Sequence, residues 1–176
     1  MHTNVSVVIP AYNEERFIED CLSSVYRQDY PKELLEVIVV DGNSQDRTAE
    51  IIREKFPQVK LLHNPRKIVP VSMNIGIEAA QGVYIIRLDV HCVYPNDYFS
   101  RLVQFMETHP AADNVGGVCK TLPANNTPKA EAIAIALSSK FGMGNSEFRV
   151  GVKEVKEVDT VPFGCYRREV FDKIGG

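Results

Sequence analysis

No stretch of this chain is long and apolar enough to span a bilayer; the longest apolar runs are short, such as Ala132–Leu137. Met1-His2-Thr3-Asn4 leads straight into Val5-Ser6-Val7-Val8-Ile9, with no basic segment ahead of an apolar core and cleavage site. A soluble, cytoplasmic domain is expected. A basic excess is lacking too. Lys plus Arg number 20 against 23 Asp plus Glu, a formal net charge of −3, which argues against a nucleic-acid binder. A single nucleotide stays possible, because one diphosphate needs only a metal ion and a few donors. The four cysteines, Cys21, Cys92, Cys119 and Cys165, form no Cys-x-x-Cys pair. Their spacing speaks against a structural zinc site and a disulfide scaffold, so ordinary reduced thiols are expected. There is no internal repeat and no low-complexity tract.

Two glycine motifs are missing as well. A dinucleotide fold needs Gly-x-Gly-x-x-Gly in its first strand-to-helix turn. That turn here, Pro10-Ala11-Tyr12-Asn13, contains no glycine. The one Gly-x-Gly, Gly142-Met143-Gly144, comes late and has Glu147 in the third glycine's place. No Gly-x-x-x-x-Gly-Lys-Ser/Thr loop exists either. A diphosphate would therefore have to be neutralised by something other than a backbone cradle, and a divalent metal is the usual means.

What is present fits one domain of ordinary size over 1–176. Hydrophobic residues make up 44% and charged residues 24% of the 176, which excludes extended disorder. Short β-branched runs alternate with segments of helical period. Strands are expected at Val5–Ile9, Leu35–Val40, Val59–Leu62, Val83–Leu88 and Val115–Val118. Helices are expected after Asn13, read as an N-cap, and over Asp46–Phe56, Pro70–Ala80, Asp97–Glu107 and Ala130–Lys140. Residues 141–160 have no clear period and read as a loop or irregular strand pair. Alternating strands and helices imply an α/β fold with a mostly parallel sheet.

Ligands of such sheets bind beyond the carboxyl ends of the strands. The first strand leads into Tyr12 and Glu14, the second ends at Asp41, and the fourth is followed by Asp89 and His91. An aromatic ring, carboxylates and an imidazole thus converge on one crevice. Read as an extended segment, Asp89-Val90-His91 would put both side chains on one side, able to share an ion.

Three segments carry a resemblance. Val7-Val8-Ile9-Pro10-Ala11-Tyr12-Asn13-Glu14-Glu15, Val39-Val40-Asp41-Gly42-Asn43-Ser44-Gln45-Asp46-Arg47-Thr48 and Ile86-Arg87-Leu88-Asp89-Val90-His91 resemble family 2 glycosyltransferases. Asn64-Pro65-Arg66-Lys67, Asn74-Ile75-Gly76 and Val158–Gly164 are similar to its bacterial exopolysaccharide, succinoglycan-type branch. The resemblance covers nearly the whole chain. It implies a GT-A-like, Rossmann-like three-layer α/β/α domain. It also implies inverting sugar transfer from a nucleotide diphosphate sugar to a glycan or lipid-linked acceptor.

By the same resemblance Pro10, Ala11 and Tyr12 line the base, Glu14 approaches the ribose, and Asp41 accepts a hydrogen bond from the base. Asp89 opens the metal motif, and His91 stands where a second aspartate belongs. Imidazole would tilt the site from Mg²⁺ towards Mn²⁺ if it ligates directly; otherwise it faces the second shell or the acceptor. Met73 occupies a place where relatives often carry a basic residue, leaving Arg66 or Lys67 to meet phosphate. No carboxylate of 1–176 matches the family's general base. The resemblance therefore implies a domain cut short, with its base beyond Gly176 and membrane contact through the further part. Two other readings remain: a nucleotidyltransferase, whose glycine- and lysine/arginine-rich phosphate loop is absent, and a non-catalytic nucleotide-binding module. Arg167 and Arg168 could touch phosphate, but read more readily as a solvated helix start.

Overall fold

The computed structural model describes residues 3–144, 146–152 and 154–175. Its centre is the strand β1, Val5–Ala11, whose apolar run leaves Val5, Val7, Val8 and Ile9 fully buried. A strand buried on both faces reads as continuous rather than alternating hydrophobicity. β1 pairs in parallel with β2 (Leu35–Asp41) from Val5↔Leu35 to Ala11↔Asp41, and with β4 (Tyr84–Arg87) from Val5↔Tyr84. β3 (Lys60–His63) adds in parallel to β2. On the other side β6 (Cys165–Arg167) runs antiparallel to β4, and β5 (Asn114–Val115) antiparallel to β6. The order is β3-β2-β1-β4-β6-β5, a mostly parallel six-stranded sheet.

The two-residue period of β1 sorts its side chains into two cores. Val5, Val7, Ile9 and Ala11 face α1 (Ile18–Tyr26), α2 (Thr48–Lys55) and α4 (Tyr98–Thr108), which contribute Ile18, Leu22, Ile52, Phe99 and Met106. Val8, with Ile38, Val40 and Ile85, faces α3 (Val69–Ala79) and Phe171 of α8 (Arg168–Ile174). Gly76 is what lets α3 sit this close. A β-carbon there would lie 2.3 Å from Val8 Cγ1.

The contacts gather the chain into two compact units. One holds the sheet, with the chain up to Val115 and from Phe163 onward; the other is Gly116–Pro162. The second contains α5 (Pro128–Leu137), α6 (Lys140–Met143) and α7 (Glu147–Val150). Thr127 caps α5 by accepting the Ala130 N–H at 3.3 Å, and Ser139 caps α6 through Gly142 N–H at 3.1 Å. No described helix is long and apolar enough to cross a membrane.

Several expectations are corrected. Asn13 does not cap α1, which begins at Ile18; with φ of 55° it turns the chain instead. The expected strand Val115–Val118 is only Asn114–Val115, and the chain leaves it through Gly116 and Gly117. The described part of 141–160 holds α6 and α7 and no strand. β6 was not foreseen, and Arg167 and Arg168 are not a solvated helix start. The Arg167 guanidinium donates to the carbonyls of Ala112, Met106 and His109 at 2.9, 2.7 and 3.2 Å. Arg168 donates to Gly82 and Ala80 carbonyls at 2.8 and 2.5 Å. None of Cys21, Cys92, Cys119 and Cys165 is joined in a disulfide.

Candidate functional site

Parallel pairing in register brings the ends of β1 and β2 side by side, so Ala11 lies opposite Asp41. Beyond that point the two loops fasten to each other. Asn13 N–H donates to Ser44 Oγ at 2.9 Å, and Gln45 N–H returns to Asn13 Oδ1 at 2.8 Å. Glu14 N–H donates to Thr48 Oγ1 at 2.7 Å and Glu15 N–H to Asp46 Oδ2 at 3.0 Å. Arg47 N–H closes the set on Glu15 Oε2 at 3.1 Å. Asn13 and Asn43 hold φ of 55° and 64°, a region asparagine tolerates better than most residues. These bonds hold that backbone in place and aim the side chains between the loops.

Tyr12, 43% exposed, follows the sheet end, while Pro10 is half-buried and Ala11 buried. Asp41 is buried, and its carboxylate accepts the Ser44 hydroxyl at 2.5 Å and the Ser44 N–H at 3.1 Å. Each oxygen keeps a further lone pair. After β3, Asn64 is fully buried and organises the next loop. Its Nδ2 donates to Ile68 O at 3.0 Å and Ser72 Oγ at 2.8 Å, and its Oδ1 accepts Arg66 N–H at 2.9 Å. This turn carries Lys67 with φ of 61° and sets its ammonium 5.5 Å from the centre of the Tyr12 ring. Lys67 therefore stands beside Tyr12.

After β4 the chain does not continue extended. Asp89 Oδ1 accepts the His91 N–H at 3.0 Å, a side-chain turn in which Val90 and His91 reverse direction. The expected extended Asp89-Val90-His91 is thereby corrected. The His91 ring reaches Glu14, with Nε2 at 2.8 Å from both carboxylate oxygens, and the Phe17 ring lies 5.0 Å from it. With Glu14 ionised, Nε2 is the donor of this contact. Burial pushes the Glu14 carboxyl above its usual value; His91 opposes this, while Asp89 and Asp46 add to it.

The structure thus brings Lys67 to Tyr12 beyond the paired ends of β1 and β2, where Asp41 lies, and brings His91 and the Asp89 turn to Glu14. Asn64, Asp46, Thr48 and Tyr94 carry the local architecture and were not singled out from the sequence. Asp46, Thr48 and Asn64 stand within the segments that carry the family resemblance, which was the one signal for them. Among the described residues no three His, Cys, Asp or Glu side chains gather as ligands for an ion, and no lysine or arginine pairs with Asp89.

The model of the family described as Glycosyl transferase family 2 matches residues 6–175. A dolichyl N-acetyl-alpha-D-glucosaminyl phosphate 3-beta-D-2,3-diacetamido-2,3-dideoxy-beta-D-glucuronosyltransferase of Methanococcus voltae is 29% identical over 171 residues, covering 92% of this chain and 52% of that protein. The succinoglycan biosynthesis protein ExoA of Rhizobium meliloti is 34% identical over 154 residues, 85% of this chain and 46% of its own. The chain spans about half the length of these relatives. Residues 1–349 of S. aureus TarS superpose with a TM-score of 0.72 at 22% identity, covering 97% of this chain and 48% of that one. The mannosyltransferase PcManGT of Pyrobaculum calidifontis, solved in complex with GDP-Man and Mn²⁺, gives 0.69 at 24% identity, covering 100% and 48%.

Proposed function

The chain belongs to glycosyl transferase family 2 and has the GT-A fold, and from that premise we propose that it carries the donor site of an inverting glycosyltransferase. The donor is a nucleoside diphosphate sugar, and the product is an extracellular polysaccharide or other envelope glycan. The observation that carries this reading is the convergence of Tyr12, Asp41 and Asp89 beyond three adjacent parallel strands, on loops cross-linked by reciprocal hydrogen bonds.

In this reading Tyr12 stacks on the base, with Pro10 and Ala11 lining the sheet side. Asp41 accepts from the base through a lone pair that Ser44 leaves open. Lys67 is the cation nearest that end. Glu14 reaches the ribose from its contact with His91, and Asp89 anchors the diphosphate end. A divalent ion held by Asp89, with or without His91, supplies charge neutralisation for the leaving diphosphate. The residues themselves bind and orient the donor. A general base must take the proton of the attacking acceptor hydroxyl, and no residue of 1–176 is assigned to it. Acceptors of the glycan or lipid-linked kind agree with the dolichyl-phosphate substrate named for the Methanococcus relative.

Calorimetric titration with UDP, GDP and their sugars, with Mn²⁺ or Mg²⁺ and with EDTA, tests the reading. At least one nucleotide is expected to saturate, and Asp89→Asn should weaken the metal-dependent part most. No binding under any condition would overturn it.

A further inference from the structure

We propose that Tyr94 is the positioning residue of this site, holding the backbone of Asp89 so that its carboxylate enters the crevice in one orientation. The inference rests on the donor-site reading above and concerns a residue that the reading does not use. Tyr94 is 5% exposed, and its hydroxyl touches both polar backbone groups of one residue. It accepts the Asp89 N–H at 2.9 Å and donates to the Asp89 carbonyl at 3.1 Å. The Cys21 thiol donates to the same carbonyl at 3.7 Å. Bonding at both N–H and C=O fixes the two dihedrals that decide where the Asp89 side chain leaves the chain. The Asp89 carboxylate then closes its own turn through the His91 N–H.

The phenol is itself held firmly. Its ring packs against Tyr98 at 5.5 Å and edge-on against Phe163 at 6.0 Å between centroids. Tyr98 in turn donates to the Phe163 carbonyl at 3.0 Å, and Tyr94 N–H reaches Ser24 Oγ at 3.5 Å. A phenylalanine would fill the same space and leave both Asp89 groups without this partner. The consequence falls on Asp89, whereas Tyr12 and Asp41 are held by other loops.

The test is calorimetric titration of UDP and GDP, with Mn²⁺ and with EDTA, on the full chain and on Tyr94→Phe. In the variant the gain in affinity conferred by Mn²⁺ should fall about tenfold, within what the loss of two hydrogen bonds to the Asp89 backbone allows. The affinity in EDTA should stay within about twofold of the unmutated chain. Should Tyr94→Phe not fold, 3,5-difluorotyrosine at position 94 keeps ring and hydroxyl with a poorer acceptor oxygen, and the Mn²⁺ gain should still fall. An undiminished Mn²⁺ gain in the variant tested overturns the inference. So does an equal loss with and without metal, which a merely structural role would produce. Absence of any Mn²⁺ gain in the unmutated chain overturns the donor-site reading and this inference with it, and is recognised before any variant is made.

Discussion

Nε2 of His91 stands 2.8 Å from both carboxylate oxygens of Glu14, joining the loop after β4 to the loop after β1. The Glu14 side chain is 16% exposed and that of His91 56%, so water screens the pair from one side only. Exposed ion pairs are worth ~0.2–1 kcal/mol. A double-mutant cycle of Glu14→Gln and His91→Asn, followed by urea unfolding at fixed pH, should give a coupling energy within that range. Zero coupling would mean that the contact adds nothing to holding the two loops together.

Asp46 fastens the neighbouring pair of loops. Its Oδ1 accepts Thr48 N–H at 3.0 Å and the Thr48 hydroxyl at 2.5 Å, and its Oδ2 accepts Glu15 N–H at 3.0 Å. Burial alone would raise its carboxyl; the hydrogen bonds from Thr48 and Glu15 outweigh that and hold it below the ordinary 3.8. A lowered folded value means that the folded state prefers the charged form. Its stabilisation is complete above the unfolded value and is lost as pH falls through the folded one. Asp46→Asn should cost about 1 kcal/mol at neutral pH, a figure taken from the lost hydrogen bonds and discounted for solvent. Urea midpoints of variant and parent should converge in acid, below the usual carboxylate range. A gap that persists there would assign the effect to packing.

How far the sequence foretold these features depends on how local their causes are. Val5–Ile9 was legible because a strand buried on both faces needs an unbroken apolar run, a property of the residues themselves. The helix over Asp97–Glu107 was legible for the same reason, since Phe99, Leu102, Val103 and Met106 recur at helical spacing and form the buried stripe of α4. Asn13 was misread because asparagine suits both a helix cap and a left-handed turn, and what decides is Ser44 and Gln45, some thirty residues away. Arg167 and Arg168 looked solvated because their acceptors, from Ala80 to Ala112, are brought to them only by the sheet. In the site, Tyr12, Asp41 and Asp89 sit on strand ends and were found there. The contact between His91 and Glu14 depends on a turn that the Asp89 side chain itself makes.

Asn64 holds the Lys67 turn from a fully buried position with three hydrogen bonds. Asn64→Leu would strand the Arg66 N–H and the Ser72 hydroxyl and leave the Ile68 carbonyl with the Ser72 N–H alone, at a cost of about 2–4 kcal/mol. Ser72→Ala removes one partner and should cost nearer 1 kcal/mol. Denaturant unfolding ranks the two. The reverse order would show that the turn is held by something other than Asn64.

Gly76 sets two known effects against each other. Replacing a mid-helix glycine by alanine favours the helix by up to ~1 kcal/mol. Here the new methyl would lie 2.3 Å from Val8 Cγ1 and 3.3 Å from Val40 Cγ2, both on the sheet beneath. Val8 and Val40 are fully buried on central strands, and β-branched side chains have few alternative rotamers to retreat into. Relief must come from α3 moving away from the sheet, and overpacking of that kind costs ~1–3 kcal/mol. The steric term is the larger, so Gly76→Ala should lower stability by about 1–2 kcal/mol net. Val8→Ala removes the atom the methyl would strike and opens space beneath α3. Combined with Gly76→Ala it should cost less than the sum of the two single changes, because each compensates the other's volume. Thermal unfolding of the four proteins reads this directly. Strict additivity, or a more stable Gly76→Ala, would mean that α3 does not rest against Val8 in solution.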